Sequence, residues 1–275
     1  MRAVDPRRPG EVDAALPGAD AVVHLAARVH VMRDSAADPL AEHRRVNRDA
    51  TLELARAAQR AGTRRFVFLS TVKVNGERTE GAPFTERDAP APADPYAVSK
   101  WEAEQGLQQM AGAGALELVI LRPPLVYGPG VKGNFLRLLK LVRAGVPLPL
   151  GGVANRRSLI YVGNLASAIE RAVCAAPTVR GTFLVSDDAD LSTPELIREL
   201  GHAMGRRARL FALPPALLGA LGRALGKGDE VGRMIESLRV DCSAARRELQ
   251  WQIPFTVEQG LRETADWFVR TRSDA

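Results

Sequence analysis

An α/β protein with a parallel sheet flanked by helices is the architecture this sequence predicts. Apolar runs of six or seven residues recur at 21–27, 65–70, 117–122 and 181–186, which suits strands buried on both faces of a sheet. Helix-spaced segments stand between them, and strands alternating with helices build crossover units rather than hairpins. With 275 residues and 46% hydrophobic content, the chain can bury one large core, or a core plus a smaller lobe.

Run 21–27 follows Pro17-Gly18 and ends in small side chains that leave room for a ligand. His24 within it reads either as a satisfied core residue or as a catalyst. Over 39–61, Leu40, Val46, Leu52, Leu54 and Ala58 predict a long helix stopped at Gly62. Asn47 lies inside that helix; a middling-to-poor helix former there needs a partner or solvent. Strand 65–70 delivers Thr71, and the proline-rich, charged stretch 81–94 predicts a surface loop of the kind that covers a site. A helix begins at Tyr96. Strand 117–122 must leave the sheet at Pro123-Pro124, since proline cannot continue a ladder. Residues 181–186 read as a last strand, 193–204 as a capped helix with Pro194 at its first position, and 257–269 as a closing helix. Segment 210–225, rich in Leu and Ala with Gly219, Gly222 and Gly226, falls short of the roughly 18 residues of a membrane span. It reads as a packed helix of the smaller lobe, with a peripheral membrane or dimer contact as the alternative.

Formal charge is +6 with a pI near 9.8, which raises the question of nucleic acid. The distribution excludes it as an expected partner: 33 of the 38 basic residues are Arg, spread beside acids without a basic run. Cys174 and Cys242 lie far apart without metal-like spacing, so no metal is expected, and buried reduced thiols point to the cytoplasm.

Tyr96 and Lys100 carry the chemistry. Four residues apart on a helix, they share one face. A neighbouring ammonium lowers a phenol from about 10 towards working pH, making it a proton acceptor and donor. Thr71 can supply a hydroxyl to the same substrate oxygen. Three tyrosines and five lysines in this length give only about 0.05 chance Tyr-x-x-x-Lys pairs.

Ser70-Thr71 at a strand end, Asp94-Pro95-Tyr96, Lys100 and the continuing 101–104 together resemble the extended short-chain dehydrogenase/reductase family, in its NAD-dependent epimerase/dehydratase branch typified by UDP-glucose 4-epimerase. The resemblance runs through His24-Leu-Ala-Ala27, Val46-Asn-Arg-Asp-Ala-Thr51, Leu125-Val-Tyr-Gly-Pro-Gly130 and 240–251, nearly the whole chain. It implies a Rossmann-like parallel sheet, incomplete at the N-terminus, with a small mixed α/β substrate lobe. Residues 1–122 and 158–186 would form the cofactor-binding domain, 123–157 and 187–275 the lobe. Thr71, Tyr96 and Lys100 would be catalytic. Asp5, Leu25, Ala26, Ala27, Asn47, Ser70, Tyr96, Lys100 and Pro123 would line an NAD site, with NADP left open. Thr71, Val72, Lys73, Asn134 and Arg157 would meet the substrate.

Two phosphate charges suit guanidinium forks, so Arg157 is either a diphosphate ligand or a structural ion pair, and Arg156 a solvated rim charge. Val72-Lys73 replaces the Asp-Glu pair of 4,6-dehydratases, which disfavours dehydration. Leu125 replaces a frequent sugar-contacting Asn, which leaves the sugar open. The implied activity is NAD(P)-dependent epimerisation or redox at C4 of a UDP-hexose or UDP-N-acetylhexosamine by a homodimer. A 4-keto-sugar reductase, or a catalytically weak sugar-nucleotide-binding subunit, is the alternative.

The family opens with Gly-x-x-Gly-x-x-Gly, where a helix N-terminus meets the cofactor pyrophosphate. These 275 residues contain no such turn. Asp5, 19 residues before His24, matches the end of the third strand. The resemblance thus implies that the first strand, first helix and second strand are missing. The expectation is an edge strand at 21–27 with 2–5 loosely attached, weak NAD(P) binding, and self-association through the open edge.

Overall fold

The computed structural model describes residues 3, 5, 9–29, 38–114 and 116–273. In order come α1 (Pro9–Ala15), β1 (Ala21–His24), α2 (Pro39–His43), a π-helical turn (Arg44–Asp49), α3 (Ala50–Arg60), β2 (Arg65–Leu69), a 3-10 turn (Val72–Val74), α4 (Pro95–Gly112), β3 (Glu117–Arg122), β4 (Leu125–Tyr127) and α5 (Gly133–Arg143). Then follow β5 (Leu159–Tyr161), α6 (Val162–Cys174), β6 (Gly181–Leu184), α7 (Thr193–Ala203), α8 (Pro215–Ala224), α9 (Gly228–Ile235), α10 (Ser243–Glu248) and α11 (Val257–Ser273).

The main sheet is parallel throughout, in the order β1-β2-β3-β6. Alternation along each strand sends neighbours to opposite faces. Phe66, Phe68, Leu118 and Ile120 pack against α1, α3 and α4. Val67, Val119, Leu121 and Phe183 pack against α6 and the segment around Trp251. Each such aromatic or aliphatic side chain contributes about 1.5–3 kcal/mol by leaving water. β1 stands at one end of the sheet among the described residues; it stops at His24 rather than reaching Ala27, and is half-exposed rather than buried on both faces. Of residues 2–5, only 3 and 5 are described.

β4 and β5 form their own parallel pair. Leu159 and Tyr161 of this pair enter a second core with Tyr127, Phe135, Leu139, Ile197, Leu261 and Phe268. Asp187 ties the two parts together: its buried carboxylate accepts from Tyr127 Oη (2.8 Å), the Tyr161 amide and Asn164 Nδ2 (2.7 Å). Gly260 lets α11 lie against that junction, for a Cβ there would stand 2.8 Å from Tyr127 Oη.

The helix expected over 39–61 forms, with a π turn inside it. Helix α7 is capped by Ser192 and Glu195, which exchange side-chain and backbone hydrogen bonds, so Pro194 is the second helical residue. Of the two cysteines, Cys242 is buried but Cys174, at the end of α6, is exposed, which corrects the expectation of two buried thiols. Among the described residues, no helix is long and apolar enough to cross a membrane, and no cluster of His, Cys, Asp or Glu is poised to hold a metal.

Candidate active site

Strand β2 ends where its apolar run gives way to Ser70-Thr71. Thr71 remains extended, and its Oγ1 accepts from the Lys73 amide to start the 3-10 turn. Across from it, Asp94 caps α4 by accepting from the Ala97 amide at 2.6 Å. Its other oxygen holds Lys73 Nζ, also at 2.6 Å. The cap fixes Tyr96 in the first turn of α4, where its hydroxyl and that of Thr71 are hydrogen-bonded. Lys100 is one turn further on, fully inside, with Nζ 3.9 Å from the centre of the Phe68 ring.

The electrostatics differ from the expectation that Lys100 lowers the Tyr96 phenol. Burial, and then the negative charge of Asp94, push Tyr96 up to about 12, with the Thr71 hydrogen bond pulling the other way. Burial brings Lys100 down to about 7, opposed by Glu104. The ammonium lies over the Phe68 ring, and its charge acts on His24 and is favoured by Glu104. His24, itself buried, is brought down to about 3 by burial and then by Lys100, so it is neutral at working pH. Its Nε2 lies 2.9 Å from Thr51 Oγ1, whose proton goes to the Asn47 carbonyl; His24 therefore donates to Thr51 and acts as a core residue.

Two buried polar groups hold this corner rigid. Asn47, in the π turn, accepts from the Arg28 amide at 2.7 Å and donates to the Arg28 carbonyl and to Ser99 Oγ. It joins the loop after β1 to the helix that carries Tyr96 and Lys100; π turns often mark such sites. Beneath lies a second network. Ser70 Oγ donates to Glu104, Arg122 donates to both Glu104 oxygens (3.0 and 2.5 Å), and Arg122 Nη1 donates to Asn75 Oδ1. Asn75 in turn holds the Thr85 carbonyl of the 81–94 loop. Glu104 and Arg122 escaped the sequence reading. Glu104 follows Lys100 by one turn on the same face, and Arg122 ends an apolar strand where a charge must find a partner.

The structure brings Thr71, Tyr96, Lys100, Ser70 and Asn47 to one corner, at the carboxyl ends of β1 and β2. Leu25, 50% exposed, and exposed Ala26 form an apolar ledge beside them, with Ala27 half-buried. Pro123 is buried and its carbonyl accepts from the Val72 amide. Val72 points its side chain into a small core with Leu184, Leu238 and Val240, and Lys73 is held by Asp94 and Glu77; both are committed within the protein. Asn134 sits on the exposed first turn of α5, bonded to Arg137. Arg157 is half-buried, with Nη1 on the Glu236 carbonyl and its charge balanced by Glu77 and Glu236. Asn134 and Arg157 share no partner among the described contacts. Glu77 and Glu236 line an open cleft of about 520 Å³ that Phe84, Asp88 and Ala91 complete. Asp5 is half-buried.

A family model described as the NAD dependent epimerase/dehydratase family matches residues 1–182. A UDP-glucose 4-epimerase from Vibrio cholerae is 42% identical over 254 residues, covering 92% of this chain and 77% of that protein. The N-acetyl-alpha-D-glucosaminyl-diphospho-ditrans,octacis-undecaprenol 4-epimerase of Escherichia coli O157:H7 is 28% identical, covering 98% and 84%. A dTDP-glucose 4,6-dehydratase double mutant from Streptomyces venezuelae, solved with NAD and DAU bound, superposes with a TM-score of 0.76 at 25% identity, covering 98% and 79%.

Proposed function

The chain belongs to the NAD dependent epimerase/dehydratase family, and from that premise we propose that it epimerises C4 of a UDP-hexose or UDP-N-acetylhexosamine. The observation that carries the reading is the hydrogen-bonded hydroxyl pair of Thr71 and Tyr96, with Lys100 one turn below, at the carboxyl ends of parallel strands. This is where open α/β sheets bind ligands.

NAD, when bound, accepts and returns the hydride of C4. The ledge of Leu25, Ala26 and Ala27 suits a flat ring, and Tyr96 and Lys100 suit its ribose. The fit extends to that half of the cofactor, since the residues in hand include no glycine-rich turn for the pyrophosphate. Thr71 holds the C4 oxygen while Tyr96 takes its proton as the carbonyl forms and gives it back on reversal. Tyr96 starts from about 12, so the phenol is the resting form. It would act as a base where the Thr71 hydrogen bond, which pulls its pKa down, and a protonated Lys100 one turn away favour the phenolate against burial and Asp94. Asn47 and the Glu104–Arg122 pair keep α4 in place for that exchange.

Dehydration is disfavoured on this geometry, because Val72 is in the core and Lys73 is a cation where an acid would be needed. A 4-keto-sugar reductase would use the same residues, and the sugar is carried in this reading on a nucleotide diphosphate near Arg157. Supplying NAD and following UDP-glucose/UDP-galactose and N-acetylhexosamine interconversion by NMR tests it. Interconversion that vanishes in Tyr96→Phe is expected; retained turnover in that variant overturns the assignment.

A further inference from the structure

Helix α8 presents the wrong face to water. Leu218 and Gly222 are its buried side, where Gly222 lies so close to Val231 that a Cβ would stand 2.8 Å away. Flanking that side, Leu217, Leu221 and, just past the helix end, Leu225, spaced four apart, are 46, 47 and 73% exposed, and Phe211 before the helix is 50% exposed. The sequence leading into and through α8 is charged with one sign, up to Asp229 and Glu230 in the first turn of α9. From Gly205 to Gly228 there are Arg206, Arg207, Arg209, Arg223 and Lys227 and no Asp or Glu. All five cations are exposed, and none joins a described ion pair.

We propose that α8 and the strap before it form a docking surface for an anionic phospholipid bilayer, with the leucines entering the acyl boundary and the five cations resting on phosphate headgroups. An apolar helix face rimmed by Arg and Lys is the pattern that lies in a membrane interface. A second copy of this chain fits less well. The strip is about 15 Å long for a ten-residue helix about 10 Å wide, roughly 150 Å² of footprint against the roughly 800 Å² per partner of a stable interface. A two-fold contact would also set five cations against five. The inference goes beyond the proposed activity and needs neither cofactor nor sugar for its test.

The test is flotation of the full chain with phosphatidylglycerol–phosphatidylethanolamine vesicles, with phosphatidylcholine vesicles as control, and light scattering of the lipid-free protein. Flotation with the anionic vesicles should exceed that with phosphatidylcholine by roughly tenfold and fall with added salt. The variant Leu217→Ser/Leu221→Ser/Leu225→Ser should lose roughly tenfold in partitioning, and Arg206→Glu/Arg207→Glu should lose a similar amount, both melting as the parent does because the positions are exposed. Failure of the parent to float with anionic vesicles overturns the proposal. So does undiminished flotation of either variant, or a dimer that the leucine variant converts to monomer, which would make the face a contact between copies.

Discussion

Replacing Glu104 with Leu should cost far more than its place on a helix suggests. The Glu104 side chain is wholly buried and that of Arg122 is 4% exposed, so the change leaves the guanidinium with Asn75 Oδ1 and the Trp101 ring, 5.8 Å away, as its described partners. Breaking a buried pair from one side costs about 3–5 kcal/mol. With roughly 2.1 cal/mol/K of unfolding entropy per residue over 275 residues, that is a fall of about 5–9 °C in melting temperature. Thermal unfolding followed by circular dichroism reads it directly. Arg122→Met alone should cost a similar amount, because it takes both guanidinium donors from the buried Glu104 carboxylate and leaves it the Ser70 hydroxyl. The double variant should cost less than the two singles together, since no lone charge remains inside. Singles that each shift the melting point by less than about 2 °C would match an exposed pair and refute the buried network.

Further outcomes follow from the same corner. Lys100 binds its proton less tightly folded, at about 7, than its ordinary 10.5, so the unfolded chain holds more protons in between. Stability should rise from about pH 7 towards 10.5 and fall back as pH drops through that window, a slope that urea melts should no longer show in Lys100→Met. His24, at about 3 against 6.5, is the acid counterpart: stability is full above pH 6.5 and lost as pH falls towards 3, less steeply in His24→Phe. Asn47→Ala leaves the Arg28 amide without its acceptor, at a cost of about 1–3 kcal/mol, with faster amide exchange at residues 24–29. Arg157→Ala should weaken UDP binding by calorimetry by about 1.5–3 kcal/mol; unchanged UDP affinity would leave Arg157 a structural group on Glu236.

The sheet was legible because strands buried on both faces must be continuous apolar runs, and the runs at 65–70, 117–122 and 181–186 gave strands over 65–69, 117–122 and 181–184. Residues 25–27 did not, since pairing at that end stops with His24 and Phe68. Four-residue spacing placed Tyr96 and Lys100 on one helix face, and Thr71 joined them through the family resemblance, so the position of the phenol was legible. Its charge state was not: helical periodicity puts Lys100 on the right face but says nothing of a side chain drawn to Phe68, or of Asp94 close behind the phenol. The π turn hides for a related reason, as one extra residue in a turn barely disturbs the spacing of Val46 and Leu52. Which leucines of 210–225 face water depends on α9, and no pattern local to α8 records it.

The central claim is that Tyr96 passes a proton at C4 while hydride leaves and returns to the same carbon. UDP-galactose deuterated at C4, incubated with NAD and the protein, tests it by mass spectrometry and NMR. Deuterium should remain at C4 of the UDP-glucose formed, none should enter C5 or C6 from heavy water, and Tyr96→Phe should form no product while binding UDP within a few-fold of the parent. Solvent deuterium at C5 or C6, or undiminished conversion by Tyr96→Phe, would contradict the account.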